Sequence, residues 1–320
     1  MGRSKSEDLD ISRKIKSINQ RLASSEALTN PVTSRSFWAD ARLRFFKNKM
    51  AVLSVLVMLA LVLFAMFAGY LAQYSNEEID WSLLGRIKEL GAPSIENGHY
   101  FGVDELGRDM FARVVQGSQV SLMVAFTAAI GSIVLGTLAG AVSGYYSGRV
   151  DAVLMSFNEI TLAIPYIIFF VVWQAFFGRS MLQMLLVMTL INWNNGYLIV
   201  RGQVLMLKNQ EFVDAARLMG ASDWRIIVRH LLPNMLGIIV ISASLAIPQM
   251  IMYESLVSFL GVGIQEPSTS WGALISEGAR TMQFGTLWQM YYPALFFVLA
   301  QVALYYIGDG MRDAFDPKDR

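Results

Sequence analysis

Between Met50 and Gln73 the chain reads Ala51-VLSVLVMLALVLFAMFAGYL-Ala72, twenty-two residues without a charge. A helix of about 20 apolar residues crosses the roughly 30 Å hydrocarbon layer of a bilayer, so this stretch predicts a membrane span. Working outward, five more apolar stretches follow at 120–146, 152–177, 181–200, 231–260 and 287–307. Six spans are expected, of which 152–177 is the least clean because Glu159 lies inside it. Composition agrees: 54% of the 320 residues are hydrophobic and only 16% charged, against about 25% charged in a typical soluble domain. With no cysteine and only two histidines, His99 and His230, disulfide frameworks, thiol nucleophiles, thiolate metal sites and iron–sulfur clusters are excluded.

Charge orients the spans. The 49 residues before the first span carry Arg3, Lys5, Arg13, Lys14, Lys16, Arg21, Arg35, Arg42, Arg44, Lys47 and Lys49 against five acids, a net +6. The stretch between the first two spans holds Arg86, Lys88, Arg108 and Arg113 against eight acids. An excess of Lys and Arg marks the cytoplasmic side, which places the amino terminus there. Six spans return the carboxyl terminus to the same side, and put the basic loop between the fourth and fifth spans in the cytoplasm. The expected organisation is a basic cytoplasmic tail over 1–30, an amphipathic elbow helix over 31–49, a first span over 50–74 and an extracytoplasmic segment over 75–117. A five-helix core over 118–310 follows, with a cytoplasmic loop at 206–230, and a short cytoplasmic tail over 311–320 closes the chain. In the tail Ile11, Ile15, Ile18 and Leu22 share one helical stripe; in the elbow Phe37, Trp38, Phe45 and Phe46 mix with basic residues. Both read as basic anchors on the lipid surface. The overall balance of +1 argues against a nucleic-acid partner.

Within the spans, Ser132, Gly136, Gly140, Gly144 and Gly148 recur every four residues. Small residues at that spacing make a flat face for close helix packing, with a substrate route along the same face as the alternative. Pro165, Pro248 and Pro293 lie inside three spans and each is expected to bend or break its helix. Polar groups at membrane depth are costly and face a bundle interior or a water-filled cavity. Glu159, Asn192, Asn194, Asn195 and Glu254 are the candidates, either bonding between helices or lining a translocation path.

The loop Lys208-NQEFVDAARLMGASDWRIIVRHLLP-Asn234 carries two short amphipathic helices. Asn209 can cap the first, whose stripe is Phe212, Ala215, Ala216 and Met219; Gly220 ends it. Ser222 can cap the second, with Trp224, Ile227, Val228 and Leu231 as its stripe. These faces either dock on a partner or pack beneath the protein's own membrane domain.

Asp214-Ala215-Ala216, Gly220 and His230-Leu231-Leu232-Pro233, at their spacing, resemble the coupling-loop signature of ABC-importer permeases. Asp214 stands for the signature's glutamate and His230 for its isoleucine. Three further stretches resemble the oligopeptide/dipeptide (peptide/nickel) branch, in particular its six-span subunit. They are His99-YFGVDELGRDMFARVVQGSQVS-Leu122, with Val103 in place of threonine, Glu254-SLVSFLGVGIQEPSTSWGALISEGA-Arg280 and Gly308-DGMRDAFDPK-Asp319. The resemblance covers residues 37–320, leaving 75–96 aside. It implies an all-α integral membrane protein with the type I ABC importer permease fold. It also implies a second related permease, two cytoplasmic ATPases that use ATP and Mg, and an extracytoplasmic binding protein facing loops such as 104–113 and 261–280. Phe212, Asp214, Ala215, Ala216, Gly220, Trp224, His230, Leu232 and Pro233 would form the ATPase contact. The substrate implied is a dipeptide or oligopeptide, with nickel complexes, glutathione or another small solute as alternatives within the branch. The chain has no GxxxxGK[ST] phosphate loop, so no cofactor is expected in it and catalysis would belong to partners. Of rivals from other classes, a secondary transporter or channel would be expected to show repeats or charge relays. An intramembrane enzyme would need HExxH, GxSxG or paired aspartates, which the sequence lacks.

Overall fold

The computed structural model describes residues 37–315; the expected tail stripe and the basic residues Lys318 and Arg320 lie outside them. Of the described residues, 37–42 belong to one unit and a second unit begins at Leu43. Among the described residues every regular element is helical, with only isolated bridges such as Ile79 to Arg108.

The elbow helix α1 is described over Phe37–Lys47, and residues 31–36 of its expected range lie outside the described residues. It stops because Asn48 turns extended and caps α2 (Lys49–Phe67), its Oδ1 accepting from the Ala51 N–H at 3.1 Å. An irregular segment follows, with a single helical turn at Ile87–Leu90. Then comes α3 (Met110–Tyr146), 37 residues, roughly 55 Å long at 1.5 Å per residue. It begins ten residues before the apolar stretch that revealed it, because Asp109 caps it, Oδ2 accepting from Ala112 N–H at 2.8 Å.

The third expected span is two helices, α4 (Gly148–Ala163) and α5 (Tyr166–Phe177), bent by 94°. The residue before a proline is pushed out of the helical region, and Ile164 sits at φ −89°, ψ 121°. Pro248 and Pro293, expected to act similarly, lie inside unbroken helices, α9 and α11. The fourth span is α6 (Met181–Leu207), followed by the loop helices α7 (Glu211–Leu218) and α8 (Asp223–Ile226). A π-helical turn, Ile227–Leu231, leads towards α9 (Leu236–Phe259). Two more helices complete the unit, α10 (Trp271–Thr281) and α11 (Trp288–Phe315). Helices α2, α3, α9 and α11 are each long and apolar enough to cross a membrane, and the bent pair makes a fifth candidate. The remaining expected span, the fourth, is α6, which has the length but has its middle diluted by Asn192, Asn194 and Asn195.

The core runs along the contacts of α2, α3, α6, α9 and α11, around Val124, Ala125, Ala128, Val187, Met188 and Ile251. The most extensive helix contact is α3 on α6. A Cβ on Gly140 would stand 2.6 Å from the Tyr197 carbonyl oxygen, and one on Gly144 2.8 Å from Val204 Cβ. Gly136 meets Trp193 and Tyr197 backbone in the same way, and Ser132 Oγ returns to its own helix at Ala128 O, 2.7 Å. The small-residue stripe is therefore filled by α6. Gly148 is not part of it: it opens α4 at φ +57° with nothing near its Cβ position.

Candidate functional site

The loop after α6 has one face held and one face free. Val213 and Ala216 of α7 are buried with Ile226, Ile227, Leu231 and Met235 against Ala141 of α3 and Val200 and Val204 of α6. Val213 is the inward anchor of α7, and of the expected stripe only Ala216 packs inward with it. Outward stand Phe212, Ala215, Leu218, Met219 and Trp224, with Leu218 90% and Met219 80% exposed. Of the second stripe, Val228 is also exposed. Leu218 escapes the periodicity reading because it belongs to neither stripe; its one signal is its place two residues before the terminating glycine.

The caps differ from expectation as well. Gln210, not Asn209, is the N-cap of α7, and neither it nor Ser222 makes a side-chain cap. The corner depends instead on Gly220 at φ +77°. Its N–H donates to Arg217 O at 2.9 Å and the Ala221 N–H to Ala216 O at 3.1 Å, the paired bonds of a Schellman stop. Asp214 lies on the exposed side, accepting from Arg217 Nη1 at 3.1 Å. The Arg217 guanidinium sits 5.7 Å over the Tyr145 ring, and the Tyr145 hydroxyl donates to Asp223 at 2.7 Å. Lys208 Nζ donates to Gly144 O at 2.8 Å. His230 is half-buried in the π-helical turn, its carbonyl accepting from Asn234 Nδ2 at 2.6 Å, while Leu232 is half-buried and Pro233 exposed.

The membrane polar residues do not form one constellation. Glu159 and Asn195 are exposed on the helix surface; Asn192 donates to Met188 O at 2.9 Å on its own helix. Asn194 is buried and accepts from Thr161 at 3.3 Å. Glu254 is fully enclosed: Ser121 of α3 donates at 2.9 Å, Ser258 at 2.8 Å and Ser255 at 3.2 Å. Ser121 Oγ in turn accepts from Trp271 N at 3.1 Å. Through Ser121, this carboxylate ties α3, α9 and α10 together. Sequence reasoning missed Asn158, buried with neither amide atom bonded, and the Asp151–Arg201 pair.

At the other end of the bundle the two loops expected to face a partner meet. Arg113, 3% exposed, contacts Asp104 at 2.6 Å and Glu277 at 2.7 Å, and Arg108 contacts Glu266 at 2.9 Å. Asp104, Arg108, Glu266 and Glu277, but not the buried Arg113, line a cleft of about 410 Å³ together with Glu105, Arg280 and Gln289. Beneath it His99 bonds Asp109 through Nδ1 at 2.9 Å and stacks on Tyr74 at 4.3 Å. Burial pushes the Asp109 carboxyl above its ordinary value, opposed by the His99 bond; a hydrogen bond from Ser82 lowers that of Asp80.

A free apolar corner on a two-helix loop, set between the fourth and fifth expected spans, is the feature that the coupling-loop resemblance implies. A family profile described as "Binding-protein-dependent transport system inner membrane component" matches residues 132–320, which include that loop. The chain belongs to this family. A second profile, "N-terminal TM domain of oligopeptide transport permease C", matches residues 36–86. Among similar proteins, the oligopeptide transport system permease protein OppC of Escherichia coli (strain K12) is 44% identical over 90% of this chain and 94% of its own length. The dipeptide transport system permease protein DppC of Bacillus subtilis (strain 168) is 37% identical, covering 90% and 88%. The glutathione transport system permease protein GsiD of Pectobacterium atrosepticum is 33% identical, covering 89% and 92%. The chain is thus a multi-pass inner membrane permease component with the type I all-helical fold of its family.

Proposed function

We propose that the chain is one of two permease subunits of an ATP-driven importer and forms, with its related partner, the path for oligopeptides or dipeptides. Likeness to peptide permeases over nine-tenths of the chain carries this reading. Both termini and the loop at 206–230 are cytoplasmic, as the basic excess before the first span supports. Two cytoplasmic ATPases receive Phe212, Ala215, Leu218, Met219 and Trp224, whose exposure gives the loop an apolar face with no occupant among the described residues. These ATPases bind and hydrolyse ATP with Mg; this chain catalyses nothing. The cleft over Arg108, Arg113, Glu266 and Glu277 meets the extracytoplasmic binding protein. Glu159 and Asn195 face the path shared with the second permease.

The test is uptake of radiolabelled trialanine by cells with and without the chain. Leu218→Asp with Met219→Asp should abolish ATP-dependent uptake while leaving the protein in the membrane; unchanged uptake defeats the coupling assignment. Uptake that persists without the ATPases would favour a secondary transporter or channel. Loss of glutathione or nickel uptake in place of trialanine uptake would move the substrate to that part of the branch.

A further inference from the structure

Asp151 stands on the first turn of α4, and its carboxylate is held from two other helices. Arg201 of α6 donates through Nε at 2.5 Å and Nη2 at 2.7 Å, a two-point grip. Ser143 of α3 donates to the same carboxylate, and the Tyr197 hydroxyl lies 2.8 Å from Ser143 Oγ. The last turn of α3 also receives the coupling loop. Tyr145 bonds Asp223 of α8 and carries Arg217 of α7 over its ring. Lys208, at the root of the loop, donates to Gly144 O and to the Ser147 hydroxyl.

The corner 143–147 is therefore gripped from one side by the loop and from the other by α4. Farther along α4 the ties weaken. Asn158 is buried with neither amide atom bonded, and Thr161 reaches Asn194 only at 3.3 Å. Among the described residues the Asp151–Arg201 pair is the one ion pair between α4 and α6. Beyond Ala163 lies the 94° break into α5.

We propose that Asp151 and Arg201 are positioning residues that lock α4 to the loop end of α3 and α6, so that displacement of the coupling loop is delivered to the broken pair α4 and α5. The proposal rests on the importer reading above.

The experiment uses the full complex in proteoliposomes and reads trialanine imported per ATP hydrolysed. Asp151→Asn keeps the shape and removes the charge. It should lower that ratio about tenfold, with co-purification of the ATPases and basal hydrolysis near wild type. Asp151→Glu should restore at least half, and the exchanged pair Asp151→Arg with Arg201→Asp should exceed either single change. A wild-type ratio in Asp151→Asn overturns the proposal. If that variant does not assemble, Arg201→Lys decides, because it keeps the charge and loses the two-point grip: a lowered ratio supports the proposal and a normal one overturns it. Loss of assembly in both, with a normal ratio in the complex that remains, assigns the pair to folding and also overturns it. Failure of the underlying importer reading is seen separately, as absence of ATP-dependent trialanine uptake by the wild-type complex.

Discussion

Gly220 makes its demand on the backbone and not on space. No atom lies within 4 Å of a Cβ built there, yet φ is +77°, where a β-branched residue is strained. Gly220→Val should cost about 1–3 kcal/mol of local order. It should lower uptake without removing the chain from the membrane, whereas Gly220→Asn, tolerant of this region, should retain most activity. Equal uptake in the two variants would refute the backbone account. Glu254 is the opposite case, a side chain with every direction filled. Glu254→Ala leaves the Ser121 and Ser258 hydroxyls without their acceptor and opens a void. The expected loss is about 2–5 kcal/mol, read as earlier thermal unfolding of the chain in detergent. Glu254→Gln keeps an acceptor and should lose less. If both melt like wild type, the carboxylate is not the fastener of α3, α9 and α10.

Between elements, the contact of α3 with α6 rests on missing side chains. Gly140→Ala forces a methyl to within 2.6 Å of the Tyr197 carbonyl and 3.0 Å of the Arg201 nitrogen, and backbone cannot step aside as a flexible side chain does. The two helices must separate, with a cost of about 1–3 kcal/mol from overpacking. Gly202→Ala, on α6 in open space within this chain, should be neutral or stabilise by up to about 1 kcal/mol through helix propensity. Thermal melts of the two purified single variants decide; a destabilised Gly202→Ala with an unaffected Gly140→Ala would reverse the packing assignment. The break between α4 and α5 belongs to this scale as well. Pro165 breaks its span, with Ile164 extended before it, while Pro248 and Pro293 lie inside continuous helices, so proline alone does not dictate a break.

For the molecule as a whole, the ion-pair cluster at Arg113 and the apolar corner at Leu218 lie at opposite ends of the bundle, and the importer reading puts a bilayer between them. The absence of native cysteine permits a direct test with single introduced cysteines. A thiol at Ile95, 84% exposed, should react with a membrane-impermeant maleimide added outside cells. One at Leu218 should react only after the membrane is opened. Labelling of Leu218→Cys in intact cells would invert the proposed orientation.

Apolar stretches, basic asymmetry and glycine spacing are properties of the chain that survive without a partner element. For that reason the helical membrane fold, its approximate spans, the flat face of α3 and the stop at Gly220 were legible in the sequence. Side-chain direction in the loop helix was not, because the stripe serves a partner or the bundle equally well, and only packing against α3 and α6 turns Ala216 inward and leaves Phe212 outside. Nor was the pairing of residues far apart: Asp151 with Arg201, Glu254 with Ser121 and Arg113 with Glu277 are brought together by helix crossings that no local pattern encodes. Hydropathy and turn chemistry act within a few residues, so sequence by itself determined what each segment is. Which buried charge meets which partner, and which apolar face stays free, depends on how several helices fill one another's grooves, and only the tertiary structure decided it.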